Sequence, residues 1–423
     1  MNNSFYNILD FGAKSDGKTL NTEAFKNIVK KCKENGGGEI YLPPGEYLTG
    51  TIELDSNIVL NISAGAKLIF SDNLENHKII NQRWEGKKQQ VYSPLIYAKN
   101  AENITIKGQG IIDGQGQKWW MLFKNNELRH PRPRAISFEK SSDILIEDVK
   151  IVNSPAWTVN PIKSKNITID NISIKNPPNS PNTDGINPSS CKNVHISNCH
   201  VDVGDDCITI KSGTEKSSDL IPCENITVTN CTMVHGHGGV VIGSEMSGSV
   251  RNVTISNCIF DGTDRGIRIK SRRGRGGVVE DIVVNNIVMN NVLSPIIMNL
   301  FYYCGEGGKD KFVWDKNKKE FNEQTPVIRE ISFNNIRANN VKTRAAFIYG
   351  LPESPIEAVT FNNISITMIE SEEKKVSAMM SNLDPEKKKG VYCNNFKDID
   401  FINFKVKNQL GEEFELVNNK SNS

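Results

Sequence analysis

The sequence predicts an all-β protein that folds as a parallel β-helix with a short N-terminal capping helix. The first observation is a repeat: short β-prone phrases that begin with Asn or an acidic residue recur along the chain, such as Asn166-Ile-Thr-Ile and Asn252-Val-Thr-Ile. From residue 166 onward they start at positions 166, 193, 225, 252 and 281. Each unit offers about three short strands between Asn, Gly and Asp turns, which is too few for a propeller blade and favours a solenoid coil.

The second observation is that the N-terminal part of the chain lacks this repeat. Residues 21–32 have the apolar spacing of an amphipathic helix, with Asn21 as the N-cap and the glycine run 36–38 as the breaker. Such a helix would cover the core at one end of a solenoid.

We therefore expect one β-helix domain, in which two insertions break the repeat. Long insertions in a solenoid usually shape a binding face. The predicted ranges are 1–423 for the single domain, 1–70 for the cap region, 71–410 for the coils, and the vicinity of 72–100 and 301–326 for the insertions.

Composition excludes several classes of function. Of 423 residues, 51 are Lys or Arg and 49 are Asp or Glu, so the formal net charge of +2 argues against nucleic acid as a partner. A membrane association is also not expected, because no apolar run approaches the roughly 20 residues of a membrane helix. The start of the chain does not resemble a secretory leader, which predicts a cytoplasmic protein.

The nine cysteines predict reduced thiols. Their number is odd and no CxxC pair is present, which argues against a disulfide framework and a structural zinc site.

Aligning the coils brings acidic residues together. We align the second strand of each unit on its inward aliphatic residue, which places in one column Ile186, Ile208, Val240 and Ile267. Asp184 and Asp206 then lie on neighbouring strands about 4.8 Å apart. Asp205 lies beside them, and His237 lies one coil beyond Asp205. Because carboxylates this close cannot all ionise without penalty, at least one should have a raised pKa, which suits acid–base hydrolysis.

The same alignment predicts a site for an anion. Arg268 and Lys270 point outward from the core, and Lys211 occupies the column of Lys270 with Gly243 between them. This arrangement leaves a slot between two ammonium groups that a carboxylate would fit. Three further cations belong either to an acidic-substrate groove or to a solvated loop, namely Arg272, Arg273 and Arg275.

Four ordered motifs resemble those of glycoside hydrolase family 28, the polygalacturonases, and in particular the bacterial exo-polygalacturonases. They are Asn182-Thr-Asp184, Gly204-Asp-Asp206, Gly236-His-Gly238 and Arg268-Ile-Lys270. The opening Asp10-Phe-Gly-Ala-Lys-Ser-Asp-Gly is also similar to that family, so the resemblance covers nearly the whole chain.

The resemblance implies a right-handed β-helix that hydrolyses α-1,4-galacturonosyl bonds with inversion, without metal or other cofactor. The implied partner is an acidic galacturonan polymer or oligosaccharide. Asp205 would be the general acid, Asp184 and Asp206 would activate water, and His237 would hold Asp205 in its protonated form.

The resemblance also implies roles in substrate binding. Arg268 and Lys270 would bind the galacturonate carboxylate near the cleavage point, and Asn182 would position the substrate. Lys211 is a further candidate. Tyr302 forms either an aromatic platform for a sugar or part of the loop packing.

The two insertions and the missing leader favour exo action on imported oligogalacturonides, with release of galacturonate. An endo-polygalacturonase and a hydrolase of rhamnogalacturonan or xylogalacturonan remain alternatives, although Arg268 and Lys270 favour plain galacturonate. More distant alternatives are a calcium-dependent pectate lyase and a β-helix that binds carbohydrate without catalysis.

Overall fold

The computed structural model describes residues 4–370 and 373–419. The ends of the predicted domain range, 1–3 and 420–423, therefore lie outside the described residues. Two compact units divide the chain, Met1–Trp84 with Lys88–Asp205, and Glu85–Lys87 with Asp206–Ser423. The single domain stays a prediction.

The first unit consists of parallel strand ladders that connect successive coils. Its strands are β1 (Phe5–Asn7), β2 (Asp16–Leu20), β3 (Gly38–Leu42), β4 (Gly45–Thr49), β5 (Ile52–Glu53), β6 (Ile58–Ile62), β7 (Ala66–Phe70), β8 (Ile79–Trp84), β9 (Lys87–Tyr92), β10 (Ile96–Lys99), β11 (Glu102–Lys107), β12 (Ile111–Asp113), β13 (Ile136–Glu139), β14 (Ser142–Glu147), β15 (Lys150–Val152), β16 (Lys165–Asp170), β17 (Ser173–Lys175), β18 (Lys192–Ser197) and β19 (His200–Val203).

Three faces are recognisable in this unit. One ladder joins β1, β3, β6, β11, β14, β16 and β18. A second joins β2, β4, β7, β12, β15, β17 and β19. The third joins β5, β10 and β13 and continues as bridges from Ile136 to Val159 and on to Ile186. The ladders already begin within residues 1–70.

The second unit repeats this pattern with longer strands. They are β20 (Ile208–Ile210), β21 (Cys223–Thr229), β22 (Thr232–His235), β23 (Val240–Gly243), β24 (Val250–Asp261), β25 (Arg265–Lys270), β26 (Val278–Asn290), β27 (Ser294–Asn299), β28 (Val327–Val341), β29 (Arg344–Tyr349), β30 (Ile356–Met368), β31 (Lys389–Lys407) and β32 (Phe414–Asn419). One face is the parallel ladder β20, β23, β25, β27, β29, β31 and β32.

The repeated Asn has a conformational reason. Asn166, Asn193 and Asn252 have φ values of 55°, 56° and 56°, the left-handed region that Asn tolerates better than most residues. Their side chains also stack between coils: the Asn193 amide donates to Asn166 Oδ1 over 3.0 Å, and Asn252 donates to Asn225 over the same distance. The Asn at the start of each phrase therefore fixes both the turn and the register.

The predicted N-terminal helix is present as α1 (Thr22–Glu34), whose buried face includes Phe25 and Ile28. Asn21 stands at the N-cap position, but it makes no capping hydrogen bond. Its side chain instead exchanges two hydrogen bonds with the backbone of Lys14, at 2.8 and 3.0 Å. Asn21 is therefore the N-cap residue, as predicted, but its side chain binds the loop at Lys14 instead of the first turn of the helix.

Two further helices were not predicted, α2 (Gly116–Lys124) and α3 (Lys311–Trp314). Both are too short to give a 3.6-residue period, and α3 lies in the second insertion. The first insertion forms a 3₁₀ turn at Leu74–Asn76 and the hairpin β8–β9. In the described part of the chain, no helix has the length and apolar character needed to span a bilayer. All nine cysteines lie among the described residues and are thiols, as predicted.

Candidate active site

The first unit brings two of the predicted acidic residues together. Asp184 and Asp205 each place a carboxylate oxygen within 4.8 Å of the other. Asp184 is buried, whereas Asp205 is partly exposed. Asp206, which follows Asp205 directly, begins the second unit. The sequence alignment thus found a pair of carboxyl groups that are close enough to influence each other's protonation.

Gly204 explains how the chain reaches Asp205. A Cβ atom at this position would lie 2.6 Å from the carbonyl oxygens of both Pro177 and Ser180. Real Cβ atoms do not come so close, so only glycine allows the strand end to pass this loop. The Gly-Asp-Asp motif therefore combines a backbone requirement with two chemical groups.

Neighbouring polar side chains hold Asp184 and Asn182, and the sequence analysis did not identify them. Asn187 donates to Asp184 Oδ2 over 2.9 Å. Arg132 is 1% exposed and donates to Asn182 Oδ1 over 2.7 Å and to the carbonyl oxygen of Pro181 over 2.7 Å. No motif signal marks Arg132, because it approaches Asn182 from a distant part of the sequence. Arg132 thus holds the Asn182 side chain in place, and the positioning role of Asn182 stays a prediction.

In the second unit, two cations surround Asp206. Lys270 Nζ lies 2.7 Å from Asp206 Oδ2, and Arg268 Nη1 lies 3.6 Å from Oδ1. Burial alone would raise the pKa of Asp206, but Lys270 and Arg268 outweigh this effect and lower the pKa to about 2. Asp206 is therefore a carboxylate at neutral pH. A Cβ atom on Gly238 would lie 3.2 Å from Asp206 Oδ1, so glycine keeps space beside this carboxylate.

His237 is oriented by a second carboxylate that the motifs did not indicate. Its Nδ1 lies 2.9 Å from Asp264 Oδ2, and Arg265 Nη1 lies 3.3 Å from the same oxygen. Burial would raise the pKa of Asp264, but the hydrogen bond from His237 and the charge of Arg265 lower it. An ionised Asp264 accepts a hydrogen bond from His237 Nδ1–H and so fixes the orientation of the imidazole ring.

The register of the second unit confirms the aligned column. Ile208 pairs with Val240, and Val240 pairs with Ile267. The open slot between Lys211 and Lys270, however, is not present. Lys211 is 8% exposed and its Nζ lies 3.6 Å from Glu245 Oε1. The prediction of an open cation wall was wrong at Lys211, because a loop carboxylate contacts this ammonium group.

Tyr302 covers the cations rather than presenting an exposed platform. Its ring centroid lies 5.6 Å from the Arg268 guanidinium and 5.2 Å from Lys270 Nζ, and the residue is 8% exposed. Its backbone forms an antiparallel bridge with Met380. Of the two interpretations from sequence, loop packing describes Tyr302 in this structure.

The basic run after Lys270 is neither a groove lining nor a solvated loop. Arg273 donates to both carboxylate oxygens of Glu353, at 2.5 and 2.9 Å, and both side chains are at most 2% exposed. Arg272 and Arg275 both pair with Glu215. Both predictions for these arginines were wrong, because acidic residues far away in sequence reach and neutralise them.

Chemically, the described carboxyl groups can donate a proton and activate water. Asp184 and Asp205 are close, and the adjacent Asp206 is ionised. The oxygens of Asp184 and Asp205 could also contact a cation, since hard cations prefer oxygen ligands. A chelator distinguishes these possibilities in the product assay described below.

Comparisons with known proteins agree with the motifs. Residues 32–384 match the model of glycosyl hydrolases family 28. A probable polygalacturonase of Vitis vinifera is 34% identical over 371 residues, covering 85% of this chain and 73% of that protein. An endo-polygalacturonase of Pectobacterium carotovorum subsp. carotovorum is 30% identical and covers 84% of this chain and 86% of that protein.

A solved structure also resembles this chain. The hyperthermoactive exopolygalacturonase of Thermotoga maritima superposes with a TM-score of 0.81 at 31% identity, covering 95% of this chain and 91% of that chain. The predicted right-handed parallel β-helix is confirmed. With its Asn-Thr-Asp, Gly-Asp-Asp, Gly-His-Gly and Arg-Ile-Lys motifs on this scaffold, the chain belongs to glycosyl hydrolases family 28, the family of the polygalacturonases.

Proposed function

We propose that the protein is an exo-acting hydrolase that releases galacturonate from the ends of galacturonan chains. The main support for hydrolysis is the close pair Asp184 and Asp205, followed directly by the ionised Asp206. The likeness to the Thermotoga maritima exopolygalacturonase supports the exo mode. The related endo-polygalacturonase shows that the family alone does not determine this mode.

A stack of two tryptophans supports a blocked groove. Trp84, on the insertion hairpin, stacks on Trp157 with ring centroids 4.9 Å apart. Both rings are less than a tenth exposed, and the Arg134 guanidinium lies over them. Trp157 precedes Thr158, whose N–H donates to the Asp184 carbonyl oxygen. The stack therefore covers the coil before Asp184, where a chain bound across the coils would otherwise continue.

In this mechanism Asp205 protonates the leaving oxygen, while Asp184 and Asp206 activate water on the opposite face of the sugar. The low pKa of Asp206 keeps it available as a base. Inverting glycosidases separate the two carboxyl groups by about 6.5–9.5 Å. The nearest oxygens of Asp184 and Asp205 lie within 4.8 Å. Because this distance is short, the configuration of the first product is a direct test: inversion gives the β-anomer of galacturonate.

The first prediction concerns the products. Incubation with polygalacturonate should release saturated monogalacturonate from the outset, with and without EDTA, and NMR should detect the β-anomer first. A ladder of saturated oligomers would contradict the exo mode. Unsaturated products that form only in the absence of EDTA would instead indicate a lyase. If polygalacturonate is not cleaved, rhamnogalacturonan and xylogalacturonan are the next substrates to test. Binding of these polymers without cleavage would contradict the proposal that the protein is a hydrolase.

The second prediction concerns pH. In the proposed mechanism the neutral His237 accepts a hydrogen bond from the protonated Asp205 and so keeps the proton on this carboxyl group. Protonation of His237 therefore produces the acid limb of the kcat/KM profile. Asp264→Asn removes the negative charge that favours the protonated imidazole of His237. The acid limb should therefore move to lower pH, and His237→Ala should abolish this limb.

Asp261→Asn is the matched control, because Asp261 is an exposed aspartate nearby in the chain. Its profile should equal that of the wild type. Profiles that do not differ between Asp264→Asn and Asp261→Asn would contradict the role of Asp264 as a positioning residue.

A further inference from the structure

A cavity of about 320 Å³ opens on the second unit, away from Asp206. It lies on the face that carries Arg268 and Lys270. The strand register leads from Arg268 through Ile297 to Phe347 and then to Tyr392. At about 4.8 Å per strand, Phe347 and Tyr392 lie roughly 10 and 14 Å from Arg268. The volume is in the range of sites for small molecules.

Aromatic rings form one wall of this cavity. Phe347 and Tyr392 stack with their centroids 5.5 Å apart and their planes 16° apart. The ring of Tyr349 lies 5.9 Å from that of Tyr392. Tyr349 is partly exposed. Flat apolar surfaces that carry a hydroxyl group suit the face of a pyranose ring, which is apolar at its C–H groups and polar at its rim.

Arg344 supplies a buried donor to the cavity. Its Nε and Nη2 donate to the two oxygens of Glu386, at 2.7 and 2.6 Å. Nη1 has no hydrogen-bond partner in the part of the chain that the structure describes, and its ion pair with Glu415 Oε1 is long, at 3.8 Å. Arg344 is only 5% exposed. A buried donor that lacks an acceptor favours a ligand that supplies one.

Lys316 supplies a cation at the same cavity. Its Nζ lies 3.4 Å from the ring centroid of Phe301 and 4.9 Å from that of Tyr349. No carboxylate lies within 4.0 Å of Nζ among the described residues. Burial of the ammonium group against these rings and the charge of Arg273 lower the pKa of Lys316 to about 7, although the residue as a whole is exposed. A bound anion would restore the charge of Lys316.

The acidic groups at the cavity do not neutralise Lys316. Glu386 is already paired with Arg344, and it also accepts a hydrogen bond from Ser377. Asp384 is exposed at the rim. The cavity therefore combines an aromatic wall, an unpaired ammonium group and a buried donor without an acceptor, a set that matches a sugar carrying a carboxylate.

We propose that this cavity is a distal subsite that binds a galacturonate residue of the galacturonan chain held at Arg268 and Lys270. This inference rests on the proposed function, since it requires a galacturonan substrate. The carboxylate lies between Lys316 Nζ and Arg344 Nη1, and the sugar ring packs on Tyr349 and Tyr392. The bridge between Tyr302 and Met380 separates this subsite from Arg268 and Lys270, because Met380 also lines the cavity.

The test compares substrates of different length. We expect the ratio of kcat/KM for hexagalacturonate to kcat/KM for digalacturonate to fall roughly ten-fold in Lys316→Met, mainly through KM, since a charge-assisted hydrogen bond is lost. Lys318→Met is the matched control, because Lys318 is an exposed lysine of the same insertion. It should keep the wild-type ratio. Lys316→Arg retains the charge and should restore most of the ratio, which separates binding from misfolding.

The outcomes distinguish the two proposals. A wild-type ratio in Lys316→Met, in an enzyme that cleaves galacturonan, would overturn the distal subsite and leave the proposed function intact. A wild-type protein that cleaves no galacturonan of any length would overturn both. A ratio that falls equally in Lys316→Met and Lys318→Met would also overturn the subsite, because the effect would then come from net charge.

Discussion

Asp205→Asn is expected to lower kcat on oligogalacturonides by about 10²–10⁴-fold, the usual contribution of a general acid. Asparagine has nearly the same shape as aspartate but cannot deliver a proton to the leaving oxygen. The partly exposed position of Asp205 means that the fold should persist. Steady-state kinetics, together with a circular dichroism melt of the same preparation, measures both effects.

Asp184→Asn should lose activity to a similar extent, but for a different reason, because the proposed mechanism uses Asp184 to activate water. A substrate with a good leaving group, such as 4-nitrophenyl α-galacturonide, needs little protonation. It should therefore be cleaved by Asp205→Asn much better than by Asp184→Asn. Asp148→Asn is the control, since Asp148 is an exposed turn residue of the same unit. Near wild-type turnover of hexagalacturonate by Asp205→Asn would contradict the assignment.

Glu353→Ala is expected to cost about 3–5 kcal/mol of unfolding free energy, the usual cost of leaving a buried charge without its partner. The Glu353 side chain is 1% exposed, and Arg273 would lose both of its contacts to it. Arg273 also donates to the carbonyl oxygens of Phe312, Asp315 and Asn317. The second insertion should therefore loosen first, and trypsin should cleave within 309–319 before the rest of the chain.

Glu280→Ala is the control for this experiment, because Glu280 pairs with Arg329, whose side chain is 42% exposed. An exposed ion pair contributes about 0–1 kcal/mol, so the melting temperature should change little. Replacing both partners, as Arg273→Met with Glu353→Leu, should recover much of the stability, since no unpaired charge remains. Equal melting temperatures of Glu353→Ala and Glu280→Ala would show that Arg273 does not depend on Glu353.

The features that could be predicted from the sequence are those that repeat from coil to coil. Asn193 and Asn252 mark the turns, and the inward column of Val240 and Ile267 follows from their spacing. Because the register of stacked coils is local, the alignment also brought Asp184 and Asp205 to the same place.

Contacts that the repeat does not encode could not be predicted. Glu353 reaches Arg273 from 80 positions away in sequence, and Glu386 reaches Arg344 from a loop that follows no period. The partner of Lys211 is likewise a loop carboxylate, Glu245. Counting along strands shows which side chains point outward, but not which loops fold over them. Arg268 therefore pointed outward as predicted, yet it is 2% exposed.

The tip of the insertion hairpin, residues 85–87, contacts residues that are distant in the sequence, so these contacts form late in folding. Ser217 donates to the carbonyl oxygen of Gly86 across 131 positions, and Lys87 pairs with Glu306 across 219. Closing loops of this length is slow compared with stacking neighbouring coils. During synthesis from the N-terminus, residues 85–87 must wait for their partners, so the coils of the first unit can stack before the tip is fixed. Catalytic competence should then appear later than the circular dichroism signal of the strands.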